Sequence, residues 1–225
     1  MANDNESADL SHWTPRDMPS TTPLQGRYCR LERLDRVCHG ENLANVFVSA
    51  PNETWDYLPY GPFADPGAFR TWLNDISAKS DPLFHTIIDA RTNQSVGLAS
   101  LMRIDPVNGV IEVGHIHFGP SLKQTPAATE AIFLLMCRVF DELSYRRLEW
   151  KCDTRNVGSR NAALRLGFTY EGTFRQAVIV KGRNRDTAWF SLLDKEWPAA
   201  KQNFLRWLDP QNFDASGRQK SSLRS

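Results

Sequence analysis

The stretch Asp153-Thr154-Arg155-Asn156-Val157-Gly158-Ser159-Arg160-Asn161-Ala162-Ala163-Leu164-Arg165-Leu166-Gly167-Phe168 decides how this chain folds. It reads as a strand end, a polar turn and a short helix over 157–166, closed by Gly167 where a helix commonly ends in a left-handed residue. Asn156 and Ser159 stand near the start of that helix. The common use of Asn and Ser there is capping. One amide and one hydroxyl projecting from a strand end could also hold an amide-bearing chain and deliver a proton.

Upstream, Phe118-Gly119-Pro120-Ser121-Leu122-Lys123-Gln124-Thr125-Pro126-Ala127-Ala128-Thr129-Glu130-Ala131 carries a strand through a loop into an apolar helix over 126–143. Thr125 suits the N-cap, and Pro126 suits the first helical position because its missing N–H would have no intrahelical partner. The free N–H groups near Ala127, Ala128 and Thr129 would bear the positive end of the helix dipole. Alanine side chains permit close approach and Lys123 adds charge, so the junction could seat an anion, although any capped helix start offers free donors.

Across 25–208 the apolar period switches repeatedly between two and about 3.6, which predicts an α/β chain of mixed strands and helices. Strands are expected over 28–34, 84–89, 96–104, 110–118, 147–152, 168–180 and 187–193. Helices are expected over 36–49, 67–79, 126–143, 157–166 and 197–208. Val37, Leu43, Val46 and Phe47 would form the apolar face of the first helix. Turn-forming residues at Thr92-Asn93-Gln94 and Asp105-Pro106-Val107-Asn108-Gly109 predict a meander of the second, third and fourth strands. Residues 1–24 are rich in Ser, Thr, Asp and Pro and read as a flexible arm; 209–225 read as a polar tail.

The 225 residues are 41% hydrophobic and 24% charged, with 7 Trp and 12 Phe, enough to build a core and far from a disordered composition. Lys and Arg total 27 against 26 Asp and Glu, which argues against a nucleic-acid partner, since that affinity is built on excess positive charge. No apolar run approaches a membrane span and the first residues lack signal-peptide character, so no membrane partner and a cytoplasmic location are expected. Cys29, Cys38, Cys137 and Cys152 are scattered without a C-x-x-C pair and read as buried thiols. His115 and His117 share a strand face but lack a third ligand, so no metal site is expected.

Strand, anion-seat helix, strand, then Asn156, Ser159, Ala162, Gly167 and Phe168, followed by Glu171-Gly172 and Arg175, resemble the GNAT acetyltransferases over about 27–195. The likeness is greatest to their RimJ/RimL-like branch of ribosomal-protein alanine acetyltransferases. The resemblance implies a mixed, mostly antiparallel sheet of about seven strands flanked by helices, with a V-shaped splay between the fourth and fifth. It implies acetyl-CoA as cosubstrate and no metal. The diphosphate would be wrapped by Lys123, Gln124, Thr125, Ala127, Ala128 and Thr129, with pantetheine paired to the backbone of Ile116, His117 and Phe118 and its amide anchored by Asn156. Two positions depart from the family loop: Lys123 replaces Arg or Gln, and Pro126 replaces a Gly whose N–H would be a donor.

By the same resemblance, Ser159 would be the general acid and Glu112 the base, acting directly or through water. Glu112 could equally be a strand carboxylate paired with an arginine. His115 or His117 could serve instead, but strand alternation predicts that they face away from Glu112. The acceptor, a protein N-terminus or a small-molecule amine, would lie near Trp55, Tyr57 and Tyr60, although packing in the core is the plainer use of Trp55 and Phe63. The hairpin tip at 181–186 would border it. Either a monomer or a homodimer fits, and the rival functions are a non-catalytic acyl-CoA-binding module or a plain interaction domain.

Overall fold

The turns between the strands from 83 to 118 are too short for a crossover, so those strands fold back as antiparallel neighbours. The computed structural model describes residues 9–48 and 50–224. Its one sheet has eight strands in the order β1 (Leu24–Gln25), β2 (Cys29–Arg33), β3 (Leu83–Asp89), β4 (Ser95–Asp105), β5 (Val110–Phe118), β6 (Arg147–Asp153), β8 (Arg183–Leu193), β7 (Thr169–Val180). The short β1 escapes the sequence pattern, so the sheet has eight strands instead of about seven. All neighbours are antiparallel except β5 and β6, which are parallel because a helix crosses between them.

Helices α1 (Arg36–Val48) and α2 (Pro66–Ser77) cover one face of the N-terminal half of the sheet, where Leu43, Phe47, Phe69, Phe84 and Leu98 form an aromatic-rich core. On the other face α3 (Pro126–Cys137), α4 (Val157–Arg165) and α5 (Trp197–Leu208) close over Leu101, Ile111, Leu148, Trp150 and Phe190. The apolar run ending at 143 is not one α-helix: α3 passes into a π-helical turn over Arg138–Glu142, and the Leu143 N–H reaches back to Arg138 O at 3.1 Å. Val37 is 76% exposed, so the buried face of α1 is made by Leu43, Ala44 and Phe47 together with His39 and Gly40. Only Cys29 and Cys152 are buried thiols; Cys137 is half-buried and Cys38 is exposed on α1. No helix among the described residues is long and apolar enough to cross a membrane.

The described part of the N-terminal segment is not a loose arm. Arg138, 1% exposed, donates from Nη1 to Ser20 O at 2.6 Å and from Nη2 to Thr22 O at 3.0 Å, while Nε pairs with Glu142. Tyr145 donates to Asp17 O, and the Trp13 indole donates to Val107 O at 2.7 Å. A buried guanidinium needs charge and hydrogen-bond partners, and the polar segment supplies the carbonyls for Nη1 and Nη2 that the composition cannot reveal. The tail is docked as well: Leu223 is buried and Trp207 donates from Nε1 to Gln219 Oε1 at 2.8 Å.

Candidate active site

The parallel pair β5–β6 is joined only at Val110↔Arg147, Ile111↔Leu148 and Glu112↔Glu149. Beyond Glu112 the two strands part, β5 running on to Phe118 and β6 to Asp153. Each leads at its carboxyl end into a helix N-terminus, β5 into α3 and β6 into α4. The open end of the wedge is thus flanked by two positive dipole ends, the usual place for a ligand in a parallel strand pair.

At the first flank the Thr125 hydroxyl accepts from Ala128 N at 3.3 Å and donates to Leu122 O at 2.7 Å. Ala127 N lies in the first turn, where no preceding carbonyl can serve it. Gln124 has φ +61°, and a left-handed residue in such a loop turns successive N–H groups toward a common point. Thr129 is buried, its hydroxyl accepting from Arg165 Nη1 at 3.0 Å. Lys123 is exposed.

Within the same turn Glu130 is a site residue that the sequence reading missed. Buried, its carboxylate accepts from the backbone N–H groups of Arg27 (2.8 Å), Tyr28 (2.6 Å) and Cys29 (2.8 Å), tying the start of β2 to the seat. A lone Glu in an apolar helix is the available signal. Gly26 is needed beneath it, because an added Cβ would lie 2.5 Å from Glu130 Cδ.

At the second flank Asn156 Oδ1 accepts from Ser159 N at 3.0 Å, the capping use of an N-cap asparagine. Its Nδ2 keeps both hydrogens without a partner among the described residues. Ser159 Oγ accepts from Trp150 Nε1 at 2.9 Å. That bond occupies a lone pair and leaves the hydroxyl proton available to donate.

Where β5 leaves β6, its pairing with β4 contains a bulge: Ser100 pairs with Gly114 and Leu98 with His117, so three steps on β5 match two on β4, and His115 takes φ +49°. The extra residue overturns the expectation from alternation. Glu112, Gly114 and His117 pair with Met102, Ser100 and Leu98, alternate residues of one strand, so Glu112 and His117 share a face. His117 stacks on Phe47 at 3.9 Å between ring centroids, and His115 Nδ1 lies 3.2 Å from Tyr60 Oη. Burial holds the imidazoles down, His115 to about 4 and His117 to about 3, so both are neutral near pH 7. Ile116 and Phe118 are half-buried, in the part of β5 that lies beyond its last pair with β6.

Glu112 is the last paired residue at the apex. It is buried, and Lys151 Nζ sits 2.9 Å from its Oε2, near enough to pair the charges but off the line of a hydrogen bond. Arg103 stands at 3.5 Å on the rim. Burial pushes the Glu112 carboxyl above its ordinary range, with Lys151 opposing the shift. Lys151 also pairs with Glu149 Oε2 at 2.6 Å and lies 3.7 Å above the Trp189 ring. The i, i+2 spacing of Glu149 and Lys151 was the signal for this missed group.

Of the aromatic loop, Trp55 is corrected to a core residue: 2% exposed, it packs edge-on against Phe47, Phe63 and His117 and walls the site from behind. Tyr60 is bonded to His115, and burial raises its phenol pKa. Tyr57 is 38% exposed and donates to Arg155 O at 3.2 Å, joining the loop to the end of β6. The β7–β8 tip closes the same side, with Lys181 Nζ donating to Trp55 O at 2.8 Å. Among the described residues no group of His, Cys, Asp and Glu could hold a metal ion.

Comparison with known proteins agrees with this geometry. The acetyltransferase (GNAT) domain family matches residues 31–169. The uncharacterized N-acetyltransferase p20 of Bacillus licheniformis is 30% identical over 184 residues, 79% of this chain and 96% of that protein. YdaF of Bacillus subtilis, named for ribosomal N-acetylation, is 31% identical over 105 residues, 47% of this chain and 57% of its own. The crystal structure of a GCN5-related N-acetyltransferase from Brucella melitensis superposes with a TM-score of 0.94 at 50% identity, covering 96% of this chain and 98% of that one. A wedge between parting parallel strands, two helix N-termini at its mouth and these similarities together show that the chain belongs to the GNAT acetyltransferase family.

Proposed function

We propose that the chain transfers acetyl from acetyl-CoA to a primary amine, either a protein N-terminus or a small molecule. The carrying observation is the wedge that opens after Glu112↔Glu149 between two capped helix starts. The residues present fit the cosubstrate. Ala127 N–H and the left-handed Gln124 suit a diphosphate, with Lys123, Thr125, Ala128 and Thr129 around them. The free Asn156 Nδ2 suits a pantetheine carbonyl, and the open edge at Ile116, His117 and Phe118 suits an added strand. Pro126 withholds one donor that a glycine would supply.

Acetyl-CoA supplies an acetyl group activated as a thioester. Glu112 takes the proton that an ammonium must lose before its nitrogen can attack, directly or across one water. Lys151 holds that carboxylate in place. Ser159, fixed by Trp150, donates its hydroxyl proton to the departing sulfur. An N–H on the bulged edge can donate to the carbonyl oxygen as negative charge builds there, worth about 3–4 kcal/mol per donor in acyl transfer. The net exchange is an ammonium and a thioester for an amide, a thiol and one released proton. The name of YdaF favours protein N-termini as acceptors.

Pro126 motivates one rival, an acyl-CoA-binding module without turnover. Thiol release from acetyl-CoA over a panel of N-terminal peptides and small amines separates the two. Saturable release supports transfer, whereas CoA binding with no release on any acceptor refutes it. Absence of stabilisation at a hundred times any plausible dissociation constant, where about 2.7 kcal/mol is expected, would remove the cosubstrate altogether.

A further inference from the structure

Past the Glu112–Lys151 pair, the face of β8 that Lys151 shares carries polar atoms with no partner among the described residues. Ala188, Phe190 and Leu192 point into the core over α3, so the alternate residues Arg185, Thr187 and Trp189 face the other way, beside Asp153 and Lys151 of β6. Arg185 Nε, Thr187 Oγ1 and Trp189 Nε1 are all buried atoms with no hydrogen-bond partner among the described residues. Thr187 as a whole is only 5% exposed. Buried donors are rarely left unpaired, since each costs about 1–3 kcal/mol. Two of the three groups, the guanidinium and the indole, can only donate, and the hydroxyl can do so.

The outer end of this row opens into a cleft of about 300 Å³ between the β7–β8 tip and the aromatic loop. Arg155, Lys181, Arg183 and Arg185 line it against the carboxylates of Asp56 and Asp153. Asp153 is taken by Arg155 at 2.7 Å, and Lys181 is turned onto Trp55 O. Arg183 and Arg185 have no ion pair among the described residues. Arg185 stands on the same side of this cleft as Asp153 and Arg155, at the end of β6, the strand that forms one wall of the wedge. A cationic cleft repels a bare ammonium substrate; it suits an acceptor that brings its own negative charge.

We propose that the acceptor amine carries a carboxylate, held by the Arg185 guanidinium with the Thr187 hydroxyl and the Trp189 indole N–H. The proposal rests on the acetyl-transfer reading and narrows it to amino-acid-like amines or peptides with an acidic residue near the N-terminus. The chemistry is shared, and two matched pairs separate the sources: L-alanine against L-alaninamide, and alanyl-glutamyl-alanine amide against alanyl-glutaminyl-alanine amide.

Calorimetric titration of each ligand into the CoA-bound protein and kcat/KM from thiol release are measured in wild type, R185Q and R185K. Wild type is expected to favour the carboxylate member of at least one pair by about ten- to a hundred-fold, the range of a charge-assisted hydrogen bond. R185Q should collapse that ratio. R185K, which keeps the charge but loses the planar fork, should retain part of it. CoA titration of each variant shows that it is folded. Equal affinity for acid and amide in wild type, or a ratio unchanged in folded R185Q, overturns the proposal. Failure of every amine to release thiol, with carboxylate binding intact, would instead count against acetyl transfer while leaving the anion site standing.

Discussion

Glu130→Gln tests the link between the seat at α3 and the start of β2. The carboxylate serves three backbone donors, Oε1 taking Arg27 N and Oε2 taking Tyr28 N and Cys29 N. A glutamine of the same shape has one acceptor oxygen and one NH₂. Its better orientation puts the oxygen over Tyr28 and Cys29 and leaves donor facing donor at Arg27. One charge-assisted bond is lost, worth about 1.5–3 kcal/mol, and the other two fall to neutral strength at roughly 1 kcal/mol each. The expected destabilisation is about 3–5 kcal/mol. For a chain of 225 residues an unfolding entropy of about 2.1 cal/mol/K per residue converts this to a Tm roughly 6–10 °C lower. Thermal unfolding by circular dichroism, with a urea series to test two-state behaviour, reads the change. CoA titration should show weaker binding, since the same helix start presents Ala127 N–H. A Tm within 2 °C of wild type would refute the reasoning.

Three further outcomes follow from the site. Ser159→Ala should lower kcat by about tenfold or more while shifting the CoA dissociation constant little, because the capping oxygen belongs to Asn156; an unchanged kcat removes the acid role. In wild type, activity should fall as the solution is acidified through the raised Glu112 pKa, because the base must be ionised. Glu112→Gln should lose that limb and recover toward high pH as the free amine deprotonates unaided; an identical profile excludes Glu112 as base. Stability should drop as pH falls from about 6.5 toward 4, since unfolded histidines titrate near 6.5 while burial holds His85 and His115 to about 4 and His117 to about 3, so the unfolded chain binds more protons. Urea midpoints across that range check this, and His85→Leu should flatten part of the slope; a flat wild-type profile contradicts it.

Much of the fold was legible locally. Thr125-Pro126 opens α3 and Asn156 opens α4 as their cap chemistry dictates, and the meander β3–β5 follows from two turns, because these signals act over four or five residues. The capping roles of Thr125 and Asn156 therefore needed no tertiary information. The two-residue β1 and the π-helical turn at Arg138–Glu142 have too little periodicity to show. The packed N-terminal segment was hidden because its partner, the buried Arg138, is more than a hundred positions away. Alternation misplaced His117 because one bulge residue, His115, reverses every side chain beyond it.

By itself the sequence determined an α/β chain with two helix starts able to receive an anion and an amide, and a family pattern to go with them. The tertiary structure decided which of those residues meet. It placed Glu112 against Lys151 at the apex of the wedge, sent Trp55 into the core, and set Thr187 and Trp189 beside Asp153 and Lys151 with buried atoms unpartnered among the described residues. Caps and turns are local free-energy minima that neighbouring residues set. The partners of a buried charge or a bulged strand are chosen by whichever distant segments fill the space beside them, and only the folded chain contains that choice.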